Sequence, residues 1–469
     1  MNLDRLERRF DVNRLRLWVV AAGVLGAAAL FGSHPSVLWL ALILLGVGAV
    51  VLARRPVLGL LALVLAALVG RAEFSTGTFV TVNPATLLVP ALLVVWVLSM
   101  VLRRDIRLVP SRTNAPLGLL LLSGLVSLLL GTALWDPGVP RSDNLIVVQI
   151  AQWAVFAFSA AAFWLTGNLI TDEAWLRRLT FLFLGVAGTL AILRVLPISR
   201  WWVQSVATFA LERSTFWLLL TALAGGQLIF NRALSTGWRL FLVASLAAAV
   251  AYALFWERAT LSNVVAVMSV VGMLAWLRFP RLRWVVVIVL LVLGATGFLG
   301  SAIYDFAGGG KEWTESGGSR LVLIGRVVEV TMRNPITGLG PAAYRSYARM
   351  KPLSYQGAHW LDPSVNSHNN YVDLFAHVGL LGLGIFLWLA VAIFGVGFRL
   401  RSRFKTGFAA GYVNGMLAAW AGALMLMLFA DWILPHVYNI GFRGFQASVL
   451  IWLFLGGLVA LEQMAGRRD

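Results

Sequence analysis

Residues 115–134 read APLGLLLLSGLVSLLLGTAL, twenty positions without an ionisable side chain, bracketed by Arg112 and Asp136. A helix needs about 20 mostly apolar residues to cross the hydrocarbon core of a bilayer. Helices and closed barrels alone satisfy every backbone polar group there. Comparable runs recur at 17–33, 36–53, 56–70, 84–102, 145–170, 178–197, 213–231, 239–256, 260–277, 283–303, 370–398, 407–430 and 445–462. Of 469 residues, 60% are hydrophobic and 12% charged, about half the charged share of a soluble domain. A soluble fold could not bury so much apolar surface. The expected class is therefore all-α, a polytopic integral membrane protein of about 12–14 transmembrane helices. The run at 56–70 is short, which leaves the count open.

The basic residues orient these spans. With the N-terminus inside, the inner clusters are Arg5, Arg8, Arg9, Arg14 and Arg16; Arg54 and Arg55; Arg103, Arg104, Arg107 and Arg112; Arg177 and Arg178; Arg232 and Arg239; Arg278, Arg281 and Arg283; Arg399, Arg401, Arg403 and Lys405; and Arg467 and Arg468. These are 24 of the 38 Lys and Arg, the distribution expected of cytoplasmic loops. Both termini are expected in the cytoplasm, in a multi-pass protein of the cytoplasmic (inner) membrane. The first apolar run, Trp18–Phe31, follows five arginines like a secretory signal; the many spans after it favour a retained helix. The net charge of +18 is mostly a topology signal against anionic headgroups. No basic stripe with interleaved aromatics points to nucleic acid. With no cysteine, disulfides, thiolate metal sites and cysteine nucleophiles are excluded, and the five histidines show no metal-ligand spacing with carboxylates. Neither a metal nor another cofactor is expected.

Most outer connections are short, but the one at 304–369 exceeds 60 residues. Three regions follow: membrane helices over 1–303 (about 11 spans), a long extracytoplasmic loop with an amphipathic helix over 304–369, and about three further spans over 370–469. A loop of this length is usually functional or disordered, and its apolar, helix-patterned content favours an ordered cap.

No Asp, Glu or Lys is expected near a bilayer centre; Gln149, Gln152, Asn263 and Asn414 are polar positions within spans. Proton-coupled transport normally uses such a group, so transport is disfavoured. The ionisable residues gather instead at the outer boundary: Arg213, Glu257, Arg258, Arg320, Arg326, His359, His368, Asp431, His436 and Arg443. Ser319 is a good N-cap for a helix that stops at Asn334-Pro335. Arg326, Glu329 and Arg333 share one face of that helix, and Arg320 sits in its first turn, turned away. This is either a solvated surface helix or an anion site built on a helix N-terminus. Arg258, in the tight turn Trp256-Glu257-Arg258-Ala259-Thr260, either pairs at the surface or reaches a lipid-linked diphosphate. In Ser367-His368-Asn369-Asn370-Tyr371, Asn366 or Ser367 would cap the next helix and place His368 in its first turn, as a structural histidine or a general base. Gly308-Gly309-Gly310-Lys311 lacks the spacing of a phosphate-binding loop.

Three stretches carry a family resemblance. His368-Asn369-Asn370-Tyr371 through Gly379 and Gly382 resembles the H-N-x-Y/F…E-x-G-x-x-G signature of the O-antigen ligase and O-antigen polymerase superfamily. Ser319-Arg320, Pro335, Gly338-Leu339-Gly340-Pro341 and Tyr344 resemble its S-G-R…P-x-x-G-x-G-P…F/Y block. The Trp-Glu-Arg-Ala turn is similar to its Ser-Arg-Gly/Ala turn. The matches cover about 256–382 in the family's order. The chain departs from the pattern where His377 replaces the Glu, Ile324 the Trp and Glu257 the Ser.

The resemblance implies metal-independent glycan transfer on the periplasmic or extracellular face. The donor would be a glycan on an undecaprenyl-diphosphate (polyprenyl-diphosphate) carrier, and the acceptor a hydroxyl of a glycan or lipid-linked glycan, with membrane lipid around both and no nucleic acid involved. Without a metal, arginines must stabilise the leaving diphosphate; Arg320 and Arg258 are the candidates. His368 is the candidate base. Arg213, Arg326, Tyr371, Asn369 and Asp431 are candidate contacts to diphosphate or sugar. The other readings are a polymerase of the same superfamily, a protein O-oligosaccharyltransferase, or, from a different class, a transporter or flippase for lipid-linked glycans.

Overall fold

The computed structural model describes residues 46, 48, 50–75, 81–256, 261–296, 320–355, 358–360 and 366–467. The chain forms two compact units, 1–56 and 57–469. In the first, the described residues are helical up to Arg54. The expected span at 17–33 and most of 36–53 lie outside the described residues, as does Arg258.

The second unit contains α1 (Val57–Leu68), α2 (Pro84–Leu102), α3 (Asn114–Ala133), α4 (Leu145–Leu169), α5 (Glu173–Val195), α6 (Arg200–Val206), α7 (Ser214–Phe230), α8 (Thr236–Ala251), α9 (Leu261–Arg278) and α10 (Leu282–Ala295). A π-turn, Tyr252–Trp256, extends α8. The long loop contributes α11 (Arg320–Thr331), α12 (Tyr344–Ala348) and a hairpin of β3 (Leu353–Tyr355) and β4 (Ala358–Trp360), which follows a smaller one between β1 (Phe74–Ser75) and β2 (Thr81–Val82). Three long helices close the chain: α13 (Asn370–Arg403), α14 (Gly407–Leu426) and α15 (Gly441–Gly466).

Among the described residues eight helices are long and apolar enough to cross a membrane: α2, α3, α4, α5, α8 with its π-turn, α13, α14 and α15. The chain is thus an all-α polytopic membrane protein. α15 is its central helix, with its apolar window wholly buried, whereas only 28% of the α2 window is buried. Leu87, Val94, Leu98 and Val101 of α2 are exposed, a surface suited to lipid and not to water. α7 and α14 approach backbone to backbone: a Cβ at Gly226 would overlap the Gly411 carbonyl, and one at Gly415 would press on that of Ala222. Small residues permit this contact, the usual means of helix association in lipid.

The connections gather at two ends. At one end Val69 bridges to Ala207, the Asn83 amide donates to the Phe442 carbonyl, and Arg443 pairs with Glu73. At the other, Glu462 accepts from Ser111 at 3.0 Å and Arg399 at 2.7 Å, and Arg401 donates to Asn414 and to the Leu277 carbonyl. The described part of the long loop belongs to the first end. There Trp135, Val139, Leu323, Val327, Tyr344 and Tyr347 share an apolar core, and Arg333 pairs with Asp136. The Asp136 carboxyl is lowered in pKa by the Gly138 backbone N–H first, and also by Arg333.

The run expected as one helix over 370–398 is in fact broken. At Gly379 the backbone takes φ 67°, ψ −172°, and the helix then resumes to Arg403. Segment 335–339 docks into the break. Leu380 N–H donates to the Pro335 carbonyl (2.9 Å), Leu381 N–H to that of Ile336 (3.1 Å), and Leu339 N–H to that of Ala376 (2.9 Å). The His377 carbonyl accepts from Ser127 Oγ at 2.6 Å. Backbone groups freed by the break are thereby paired again, as lipid surroundings require. A Cβ at Gly379 would overlap the Ile336 carbonyl, and one at Gly338 would press on the backbone of 377–379. Gly379 has a conformation that is essentially glycine-only, at a cost of about 1–3 kcal/mol for other residues, before any overlap is relieved. Gly379→Ala is expected to abolish a monodisperse species in detergent size exclusion. By contrast, Gly384→Ala, where added carbon meets nothing within 4 Å, should elute like the parent chain.

Candidate functional site

Between α14 and α15 the chain leaves the helical state over 427–440 yet stays mostly buried. Its backbone is held by side chains from other helices. Asn370 Oδ1 accepts from the N–H groups of Ile433 (3.1 Å) and Leu434 (3.2 Å), and Asn370 Nδ2 donates to the Leu434 carbonyl (2.7 Å). From α4, Gln152 Nε2 donates to the Pro435 carbonyl (3.0 Å), and Gln152 Oε1 accepts from Val437 N–H (2.9 Å). Trp452 Nε1 donates to the Ile433 carbonyl. These buried amides replace the partners that a helix would provide.

Several sequence candidates converge on this segment. Arg320 donates to the Phe429 carbonyl at 2.7 Å. Asn369 caps α13, its Oδ1 accepting from Tyr371 and Val372 N–H, and its Nδ2 donates to the Leu428 carbonyl. The Tyr371 hydroxyl donates to the Leu424 carbonyl at 2.9 Å. Asp431 accepts from Asn439 through both oxygens. Arg213 stacks over Phe209 at 3.7 Å and Trp432 at 4.6 Å from the ring centroids. Burial lowers its pKa, opposed by Glu212, Asp431 and Tyr252. Arg326 lies elsewhere: it donates to the carbonyls of Lys351 and Pro352 and pairs with Glu329, so it fastens the long loop to itself.

His368 is not in the first turn of the helix, as the sequence suggested. The cap is Asn369, because its amide reaches two N–H groups at once, and His368 stands before it in left-handed backbone, φ 49°. Ser367 Oγ fixes the bend by accepting from Asn369 N–H and donating to Asp373.

Beneath lies a buried polar network to which sequence reading gave no role. Tyr344 donates its hydroxyl to Asp373 Oδ1 at 2.9 Å and lies 3.1 Å from His436 Nδ1. Asn366 Oδ1 is 3.2 Å from the same nitrogen. The Tyr344 and His436 rings stack at 4.9 Å, and His377 lies 5.6 Å and 5.3 Å from them. Because Ala342 N–H donates to His377 Nδ1, a neutral His377 carries its proton on Nε2. His436 Nδ1 faces Asn366 Oδ1, an acceptor, and a tyrosine oxygen already donating elsewhere; it therefore carries the proton, leaving Nε2 an acceptor. His377 Nε2, His436 Nε2 and Asp373 Oδ2 are buried and lack a hydrogen-bond partner among the described residues. One imidazole donor and one imidazole acceptor thus remain in a buried cluster with a carboxyl oxygen of Asp373. Among the described residues no group of three such ligands is placed to hold a metal ion. The legible signal was the spacing of Asn370, Asp373 and His377, one polar stripe on an apolar helix; Tyr344 showed only as part of the family block and His436 only as an ionisable residue at the outer boundary.

Burial raises the pKa of Tyr344, with the Asp373 charge adding to the shift. Burial also holds His436 well below its ordinary 6.5, reinforced by His377, Arg345 and His368. The unfolded chain therefore takes up this proton first as pH falls. The contribution of neutral His436 to stability is complete above about pH 6.5 and is lost below it. Melting temperature in detergent should fall from pH 7.5 to 5.0, and His436→Gln should make that fall shallower; an identical slope would refute the assignment. Tyr344→Phe should destabilise by about 1–3 kcal/mol, the cost of leaving buried polar partners unmade, read as a lower melting temperature at pH 7.5.

No curated protein matches the chain. Residues 243–387, from α8 through the break in α13, match the O-antigen ligase family. This match contains Arg320, Tyr344, His368, Asp373, His377 and all three stretches that carried the resemblance. Over this segment, just under a third of its length, the chain is similar to the O-antigen ligase family of membrane proteins, the superfamily that the three stretches resembled.

Proposed function

We propose that the chain transfers a glycan from a polyprenyl-diphosphate carrier to a hydroxyl of a glycan or lipid-linked glycan, at the outer face of the cytoplasmic membrane. The acceptor oxygen attacks the anomeric carbon. The bond from that carbon to the phosphate oxygen breaks, its electron pair leaves with the diphosphate, and the acceptor proton passes to His368. A single displacement inverts the anomeric centre. Growing charge on the leaving diphosphate is met by the guanidinium groups of Arg320 and Arg213, with Arg258 as a further candidate from its turn. Such groups help most where they bind the transition state better than the substrate.

The observation that carries this reading is the position of His368. Its half-buried side chain projects from left-handed backbone, one residue before a helix start, where Arg320 and Asn369 meet 428–429. The charge distribution supports the sidedness: the opposite end holds the arginine-rich turns such as 399–405, as cytoplasmic loops do.

His368→Asn is the informative variant, because asparagine tolerates left-handed backbone and cannot act as the base. Transfer in membranes should fall by about 10²–10⁴-fold with unchanged expression and melting temperature. Near-normal product would remove His368 from the mechanism. Arg320→Lys should also be poor, since a point charge does not reproduce a guanidinium fork. If Arg320 merely anchors Phe429, this variant would lower the melting temperature and leave transfer per folded molecule intact. Incubation with lipid-linked donor, with and without a separate acceptor, distinguishes ligase from polymerase: a ladder of longer lipid-linked glycan identifies the latter.

A further inference from the structure

The ion pair of Asp136 with Arg333, which fastens the long loop, also forms part of a cavity wall at the site end of α3. The cavity has a volume of about 460 Å³, within the range of about 300–1,000 Å³ typical of small-molecule sites. Asp136, Arg333, Asn334 and Tyr347 give it polar groups, and Leu134 and Leu339 give it apolar surface. Asp136 and Arg333 cancel each other's charge, and no other charged side chain is among the described residues that line it. The cavity is therefore polar without a net charge.

Each of the four polar side chains is anchored internally and keeps capacity to spare. Asp136 Oδ1 accepts from Gly138 N–H at 2.8 Å, and Oδ2 accepts from Arg333 Nη1. Each carboxylate oxygen has a further lone pair, and the lowered pKa of this carboxyl keeps it an acceptor. The Arg333 guanidinium lies over the Tyr347 ring at 5.5 Å. The Tyr347 hydroxyl accepts from Asp136 N–H at 3.1 Å, which leaves its own proton to donate. Asn334 Oδ1 accepts from Thr337 Oγ1 at 3.1 Å, while its Nδ2 donates to nothing among the described residues. Neighbouring hydroxyls on a pyranose ring, each both donor and acceptor, match such paired forks. The C–H faces of the ring suit leucine and tyrosine surfaces. A diphosphate would meet a carboxylate here, and a polyprenyl chain would desolvate four polar groups without pairing them.

We propose that this cavity is a subsite for an uncharged pyranose unit with adjacent free hydroxyls, carried by the donor or the acceptor glycan. This assignment rests on the glycan-transfer reading above and names the class of sugar. Two elements tie the cavity to the buried network. Tyr347 follows Tyr344 by about one turn of α12, and Leu339 N–H bonds the Ala376 carbonyl, next to His377. A sugar seated here is held by the same elements that set the network beneath His368.

The test uses the purified full chain in nanodiscs and ligand-observed NMR. Its probes are methyl glycosides of glucose, galactose, mannose, rhamnose and N-acetylglucosamine, with inorganic phosphate and glucuronate as charged competitors. At least one neutral glycoside should bind the parent chain, and neither charged competitor should displace it. Asn334→Asp keeps the Thr337 bond and exchanges the amide donor for an acceptor; it should weaken binding by about two- to tenfold, the scale of one hydrogen bond. Arg333→Lys keeps a charge for Asp136 but not the fork, and should also weaken it. Size exclusion and melting temperature check the fold of both variants. No binding of any glycoside, binding unchanged in both variants, or displacement by phosphate each overturns the proposal. In transfer assays Asn334→Asp should raise KM for one substrate; titrating lipid-linked donor and separate acceptor in turn shows which glycan carries the sugar. A KM raised for neither overturns the subsite. Glycoside binding is independent of turnover. If it holds, and weakens in the variants, in a chain that transfers nothing, the transferase reading fails while the sugar site stands.

Discussion

A non-helical backbone packed inside a helical membrane protein must have every polar group paired, and this constraint organises the candidate site. In hydrocarbon an unmade backbone hydrogen bond has no water to fall back on. The segment 427–440 meets this requirement with side-chain amides: Asn370 from the start of α13 and Gln152 from α4 together account for three N–H groups and two carbonyls. The break in α13 meets it differently, by taking segment 335–339 as a surrogate turn. Both solutions tie distant parts of the chain to α13, so the position of one fixes the other.

The buried network inherits its geometry from those two fixings. Asp373 and His377 are set by α13, Tyr344 by α12, and His436 by the loop that Asn370 and Gln152 hold. His377 bonds the backbone of Ala342, whose φ of 54° is part of the turn linking the docked segment to α12. A histidine suits this place: its Nδ1 accepts that N–H, while its ring packs near Tyr344 and His436. The resemblance to the superfamily leads one to expect Glu at this position, and the observed contacts give a structural reason why an uncharged ring serves in this chain.

The spans were legible because hydrophobic length is a local property. α2 matches the apolar run at 84–102, and α3 and α4 match theirs within a residue or so. α5 begins earlier than the apolar run because Asp172 caps it and Glu173 opens its first turn. The break at Gly379 was illegible, since a glycine in an apolar run looks the same whether or not a strand of chain docks against it. Its partner lies about forty residues upstream, in a block readable only through family resemblance. The role of Asn369 as cap was a choice between neighbours that only amide geometry could settle. The mid-span amides were noticed as polar, but their purpose depends on a loop some 280 residues away. The convergence of Tyr344 with His436 spans 92 positions, beyond any periodicity.

The arginines at the site end follow a common design. Arg213, Arg345, Arg141 and Arg333 each lie over an aromatic ring, at 3.7 to 5.5 Å. A carboxylate partner would cancel the charge and occupy the fork. An aromatic face supports the planar cation by its quadrupole and leaves the charge undiminished, with the N–H edge directed along the plane. Stacking also restricts side-chain freedom before any ligand arrives, so less entropy remains to be lost on binding. Arg333 has both kinds of partner, Tyr347 and Asp136, and accordingly serves to fasten the loop. Arg213 lies over two rings, with Glu212 and Asp431 near enough to oppose the effect of burial on its charge.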